Sequence, residues 1–230
     1  MEVGKLLAQL LARLLAQVTT RDPRVVVGPK LGEDAAVIDV GDKYLVAKTD
    51  PITFATDHIG WYAVHVNAND IAVMGARPAW FLATILLPQS VPQLTAEAIF
   101  QQILSACEQL DVELVGGHTE VTYGLSRPMV VGAMLGEVAK DRLVQSSGAQ
   151  PGDRLLLTKG IAIEGTAILA RELSEPLRQR GVAPDLIQSA QRLIFEPGIS
   201  VVPEALLAAA GGRVHAMHDP TEGGLATAVH

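Results

Sequence analysis

Four clusters in the sequence carry residue types that can hold a hard cation and a phosphate group. Glu33 and Asp34 stand in "LGEDAAV", just ahead of a run that reads as a strand. Asp50 stands in "KTDP", at the end of another. Asn67 and Asp70 lie in "VHVNANDIAVMGARP" at i, i+3 spacing, which puts both on one face of a helix. The fourth cluster is "GGHTEVT", Gly116 to Thr122, placed right after a further strand. Carboxylates at strand ends suit Mg2+, which takes oxygen ligands and keeps several waters. Adjacent glycines let the backbone come close to phosphate. Each cluster also has a plain structural reading. Gly-Glu-Asp makes a turn, Asp50 before Pro51 ends a strand, and a single histidine such as His118 is commonly a hydrogen-bonded structural residue. Asn69 falls off the 67–70 face and is expected to hold backbone or a subunit contact. No Walker motif or Rossmann fingerprint is present.

The whole composition narrows the classes. Apolar residues make up 49% of the chain and charged ones 19%, which calls for a packed globular protein. A formal charge of −7 argues against broad nucleic-acid binding. It leaves room for an anionic ligand, because metal ions and backbone N–H groups bind phosphate locally. The single cysteine, Cys107, excludes a disulfide framework and a cysteine-built zinc site, and fits a reducing cytoplasm. It sits at helical spacing from Phe100 and Leu104 and reads as core.

The elements that must position these residues can be read from periodicity. Leu6, Leu7, Leu10, Leu11, Leu14 and Leu15 give an amphipathic N-terminal helix that Arg13 interrupts, so it does not read as a signal peptide. "AAVIDV" (35–40) and "YLVAKT" (44–49) read as strands joined by a Gly41-Asp42 hairpin turn. The helix of the third cluster follows, then a strand over 79–87 and a helix over 95–110 with Thr95 as N-cap. "VELVG" and "MVVGAMLGEV" are further strands, so a sheet backed by helices is expected. Pro78, Pro88 and Pro92 keep the uncharged run after Arg77 from reading as a membrane span.

The turn-rich "SSGAQPGDR" marks a boundary, giving domains over 1–147 and 148–230. In the second, "RLLLTK" and "RVHAM" read as strands, with helices near 164–173, 185–195 and 200–210. A last helix is expected from Gly224, and the domain is expected to be incomplete at His230.

The motifs "GEDAAV", "TDP", "HIGWYAVHVNANDIAVMGARP", "GGHTEVT", "TKGIAIEGTAILA" and "HDPTEGG" come in the order and approximate spacing of the AIR synthase (PurM-like) superfamily. The chain resembles that superfamily along nearly its whole length, and resembles most its hydrogenase maturation, HypE-like branch. The resemblance implies a two-domain α/β (α+β) fold: an N-terminal strand-rich sheet backed by helices that pairs in a homodimer, and an α/β C-terminal domain. It implies ATP and Mg2+ in a cleft near the dimer interface, with Asp34, Asp50 and Asp70 as the metal and phosphate residues and Asn67 in support. Asp50 and Asp70 are the implied catalytic carboxylates, with Asp219 on the acceptor side. Gly116, Gly117, His118 and Thr119 would line the nucleotide, and Gly160, Glu164 and Gly165 would form the second-domain wall. The implied activity is ATP-dependent phosphorylation of an amide or carbamoyl-type oxygen on a small acceptor, in a cytoplasmic enzyme. The alternatives are a non-catalytic nucleotide-binding scaffold and a small-metabolite kinase of the thiamine-monophosphate kinase type. Two positions depart from the branch: Glu222 replaces an expected arginine in "DPTEGG", and no acceptor cysteine is present near the end.

Overall fold

The computed structural model describes residues 4–55, 57–221 and 224–229. Among them, six strands form one mixed sheet. They are β1 (Val25–Val27), β2 (Ala36–Asp39), β3 (Lys43–Ile52), β4 (Arg77–Pro88), β5 (Glu113–Thr122) and β6 (Met129–Ala139). The spatial order is β1-β2-β3-β6-β4-β5. All pairs are antiparallel except β4 and β5, which lie parallel across a helical crossover. The hairpin between β2 and β3 pairs Asp39 with Tyr44, as expected from Gly41-Asp42. Asp39 Oδ1 accepts the Gly41 N–H at 2.9 Å and holds that turn.

Strand alternation decides which face is covered. In β6, Val130, Gly132, Met134, Gly136 and Val138 are buried, and the residues that alternate with them are half-buried. In β4, Phe81, Ala83, Ile85 and Leu87 face the same way. This face carries α2 (Ile59–Val73) and α3 (Gln93–Leu110). The opposite face, with Leu45, Ala47, Leu82, Ala133 and Leu135, has no helix packed on it among the described residues.

Apart from His65, Asn67, Asn69 and Asp70, α2 is apolar all round, as a helix buried on every side requires. It lies so close to β6 that a Cβ on Gly132 would come 2.4 Å from Asn67 Nδ2 and 2.7 Å from the Phe81 ring. Asn67 is thereby fixed over the middle of the sheet. In α3 the N-cap is Pro92, and Thr95 sits inside the first turn, giving its N–H to the Pro92 carbonyl at 2.9 Å. The expected Thr95 cap is therefore displaced by three residues, because the helix begins at Gln93. Cys107 is buried in α3 as expected, and burial pushes its thiol up to about 11.

The N-terminal helix forms as α1 (Ala8–Leu15), with Leu7 and Leu14 exposed. After Gly148 the chain is helical: α4 (Ile163–Glu172), α5 (Ser174–Gln179), α6 (Pro184–Arg192), α7 (Val202–Ala210) and α8 (Gly224–Val229). The expected strands "RLLLTK" and "RVHAM" are absent. Leu155, Leu156 and Leu157 are 70, 86 and 52% exposed, with no neighbouring strand among the described residues. A strand exists only through its ladder partners, so an apolar run without them remains irregular.

Candidate functional site

Three chain segments converge beside the C-terminal half of α2. The first brings Asp34 ahead of β2, the second Lys48 and Asp50 on β3, and the third His218 and Asp219 from the second domain. Lys48 and Asp50 point to the helix-covered face because they alternate in phase with buried Val46 and Ile52. Lys48 Nζ lies 3.1 Å from Asp70 Oδ2 and 3.8 Å from Asp50 Oδ2. Asp34 accepts the Ser146 hydroxyl at 2.8 Å and pairs with His218 Nδ1 at 2.9 Å. One ligand atom from each of Asp34, His218 and Asp219 lies within 4.8 Å of the others.

The electrostatics follow from burial and crowding. Asp34, Asp70 and Asp219 are 8, 5 and 5% exposed. Burial, helped by the charges of Asp34 and Asp50, pushes the Asp70 carboxyl up to about 6 against the pull of Lys48. Burial and then the charges of Asp70 and Asp34 push Asp219 well above the usual carboxylate range. Burial works against the charge on Lys48, yet Asp70, Asp50 and Asp34 outweigh it and raise its affinity for the proton. The hydrogen bond to Asp34 raises His218 despite its burial. Carboxylates this close are stable as a set only with cations or protons among them.

Three polar atoms here are buried without a hydrogen-bond partner: Asp219 Oδ2, Asn67 Oδ1 and Asp70 Oδ2, the last meeting Lys48 only as an ion pair. Such atoms cost about 1–3 kcal/mol unless something pairs with them. The Asn67 amide nitrogen is satisfied, donating to the Ala63 carbonyl at 2.8 Å and the Asp50 carbonyl at 3.3 Å. A carboxylate-rich donor set with an unpaired carboxylate oxygen, and a His218 ring nitrogen as its third member, fits a divalent cation.

The sequence-predicted residues divide into those this site gathers and those it does not. Asp34, Asp50, Asn67 and Asp70 lie close together. Asp219 was expected on the acceptor side, and the fold instead buries it against Asp34 and Asp70. "GGHTEVT" was expected after a strand but is itself the body of β5. A Cβ on Gly117 would strike the Ala83 carbonyl at 2.0 Å, so close pairing with β4 explains that glycine. His118 and Glu120 pair with Thr84 and Leu86 on the sheet face away from α2, with His118 Nε2 3.1 Å from Glu120 Oε2. Thr119 points the other way, into a groove with Ile85 and Phe100. Gly116 shares the outward face of His118. Gly160 precedes α4, and Glu164 and Gly165 lie in its first turn, where the charge of Glu164 acts on Tyr62 in α2 rather than on Asp70. Glu222 lies outside the described residues.

Lys48 and His218 were not among the expected site residues. Strand alternation could have found Lys48, two positions before Asp50 on the same face. His218 opens the run "HDPTEGG", and its contact with Asp34 gives it a place in the site.

Residues 32–138 match the AIR synthase related protein, N-terminal domain, and residues 150–230 match its C-terminal domain. A putative hydrogenase expression/formation protein of Methanocaldococcus jannaschii is 29% identical over 212 residues, covering 89% of this chain and 59% of its own length. The carbamoyl dehydratase HypE of Cupriavidus necator is 29% identical over 203 residues, covering 85% of this chain and 52% of its own length. The chain thus spans between half and three fifths of these curated relatives. A solved structure of the hydrogenase maturation protein HypE in complex with ATP superposes with a TM-score of 0.59 at 23% identity, over 95% of this chain and 58% of that one.

Proposed function

The chain belongs to the AIR synthase related family, and from that premise we propose that it is a Mg2+-ATP-dependent enzyme. It phosphorylates an amide or carbamoyl-type oxygen of a small acceptor in hydrogenase maturation. The observation that carries this reading is the convergence of Asp34, His218 and Asp219 around an unpaired, buried carboxylate oxygen, with Asp70 close enough for its charge to act on Asp219. Asp34, Asp50, Asp70 and Asp219 would hold Mg2+, which supplies charge neutralisation to phosphate oxygens when bound. The chain's own residues do the rest. Burial of Asp70 and Asp219 keeps bulk water from the site. Asn67, anchored through its nitrogen, presents Oδ1 as a fixed acceptor.

We place nucleotide binding in the domain over 1–147 and the acceptor side in the domain over 148–230, within a cytoplasmic homodimer. The uncovered sheet face carrying Ala47, Leu82 and Leu135 supports the dimer, since an apolar face of this kind calls for a partner.

Titration calorimetry with ATP and Mg2+ tests the reading. Wild type is expected to bind, and Asp70→Ala to lose binding while remaining folded. No binding by wild type, or equal binding by the variant, refutes it. The scaffold alternative predicts binding without ADP release across carbamoyl and amidine acceptors. The kinase alternative predicts phosphate retained on the product, read by mass spectrometry.

A further inference from the structure

Most of the site's charge is negative, and one ammonium stands among its carboxylates rather than at the rim. Lys48 Nζ sits between Asp70 Oδ2 and Asp50 Oδ2, and its side chain is 22% exposed. It leans towards Asp70, whose Oδ2 it meets as an ion pair without hydrogen-bond alignment. Space between two carboxylates at these distances is where a divalent ion would draw on both. An ammonium there screens Asp70 from any other cation, because two cations sharing one carboxylate at low dielectric repel strongly.

We propose that Lys48 is a resident counter-ion that makes divalent metal binding conditional on a triphosphate. This rests on the ATP reading above. Without nucleotide, the ammonium occupies the Asp50–Asp70 gap and opposes metal entry. With nucleotide, the phosphate oxygens offer Lys48 a second anionic partner, and Asp70 is released to the metal. A lysine suits this exchange: its charge is compact and its four-carbon stem is flexible, so the head can move between partners a few ångströms apart.

Electron paramagnetic resonance titration with Mn2+ tests it on the full chain, with wild type, Lys48→Met and Lys48→Arg. Each is measured with and without a non-hydrolysable ATP analogue, after correction for Mn2+ held by the analogue itself. Wild type and Lys48→Arg are expected to bind Mn2+ weakly alone and more tightly with the analogue. Lys48→Met is expected to bind Mn2+ alone about tenfold or more tighter than wild type. Lys48→Met binding no tighter than wild type overturns the inference and leaves the ATP reading standing. Wild type binding Mn2+ equally well with and without the analogue overturns it too, and that arm needs no variant to fold. Wild type binding no Mn2+ in either condition overturns both.

Discussion

The side chain of Asn69 grips the backbone at Ile199 from the opposite domain. Its amide nitrogen donates to the Ile199 carbonyl at 2.9 Å, and its oxygen accepts the Val201 N–H at 2.8 Å. Asn69 is thus the residue that ties α2 to the start of α7, while its neighbour Asp70 faces the carboxylates.

Asn69→Ala should therefore act on stability before chemistry. It strands a donor and an acceptor that Asn69 now pairs, at a cost of about 2–4 kcal/mol. Urea unfolding followed by circular dichroism checks this. A loss below about 1 kcal/mol would show that water takes over both bonds.

Asp219→Asn should separate binding from folding. The carboxyl is buried and already pushed towards its neutral form, so an amide removes a charge the fold tolerates poorly. The melting temperature in metal-free buffer should stay level or rise, while Mg2+-dependent ATP affinity falls about tenfold or more. Unchanged affinity by calorimetry would remove Asp219 from the site.

Gly132→Ala should push Asn67 off the sheet. The new methyl would overlap Asn67 Nδ2 and the Phe81 ring. Overpacking of this kind costs about 1–3 kcal/mol. Denaturant unfolding reads the loss, and nucleotide affinity should fall with it. Wild-type values in both would mean that α2 can retreat from β6 freely.

His65 should make the protein acid-sensitive. It is 1% exposed, both ring nitrogens lack partners, and burial followed by the charge of Lys159 pulls it down to about 4. The unfolded chain binds the proton more tightly, so the contribution is complete above the ordinary histidine value of 6.5 and is lost as pH falls towards about 4. Over that window His65 should cost about 3 kcal/mol. His65→Leu should lose less stability than wild type between pH 7 and 4, compared by thermal unfolding. Parallel pH profiles would contradict this.

Leu135→Glu should report on the open sheet face. If the proposed dimer forms through this face, a carboxylate at its centre would be buried without a partner, so sedimentation should show monomer in the variant and dimer in wild type. An unchanged sedimentation coefficient would place any dimer elsewhere.

Much of the sheet was legible from local pattern, although β1, three valines at Val25–Val27, was not expected. The β2–β3 hairpin, β4 and β6 follow from period-two patterning and from Gly41-Asp42. "RLLLTK" misled for the same reason: its residues favour a strand, but pairing is supplied by other segments. The i, i+3 spacing of Asn67 and Asp70 was likewise enough to put them on one face, because helix geometry is local.

What the sequence determined by itself was therefore the local order: which runs pleat, which coil, and which carboxylates stand at their ends. The tertiary structure decided who meets whom. Asp219 and His218 reach Asp34 across more than 180 residues, and Lys48 becomes the cation of the site only when β3 passes under α2. His118 lies apart from the carboxylates because the register of β5 on β4, His118 opposite Thr84, turns it to the uncovered face. Charge, burial and proton affinity belong to that meeting. They depend on distances between segments, which periodicity along one segment does not contain.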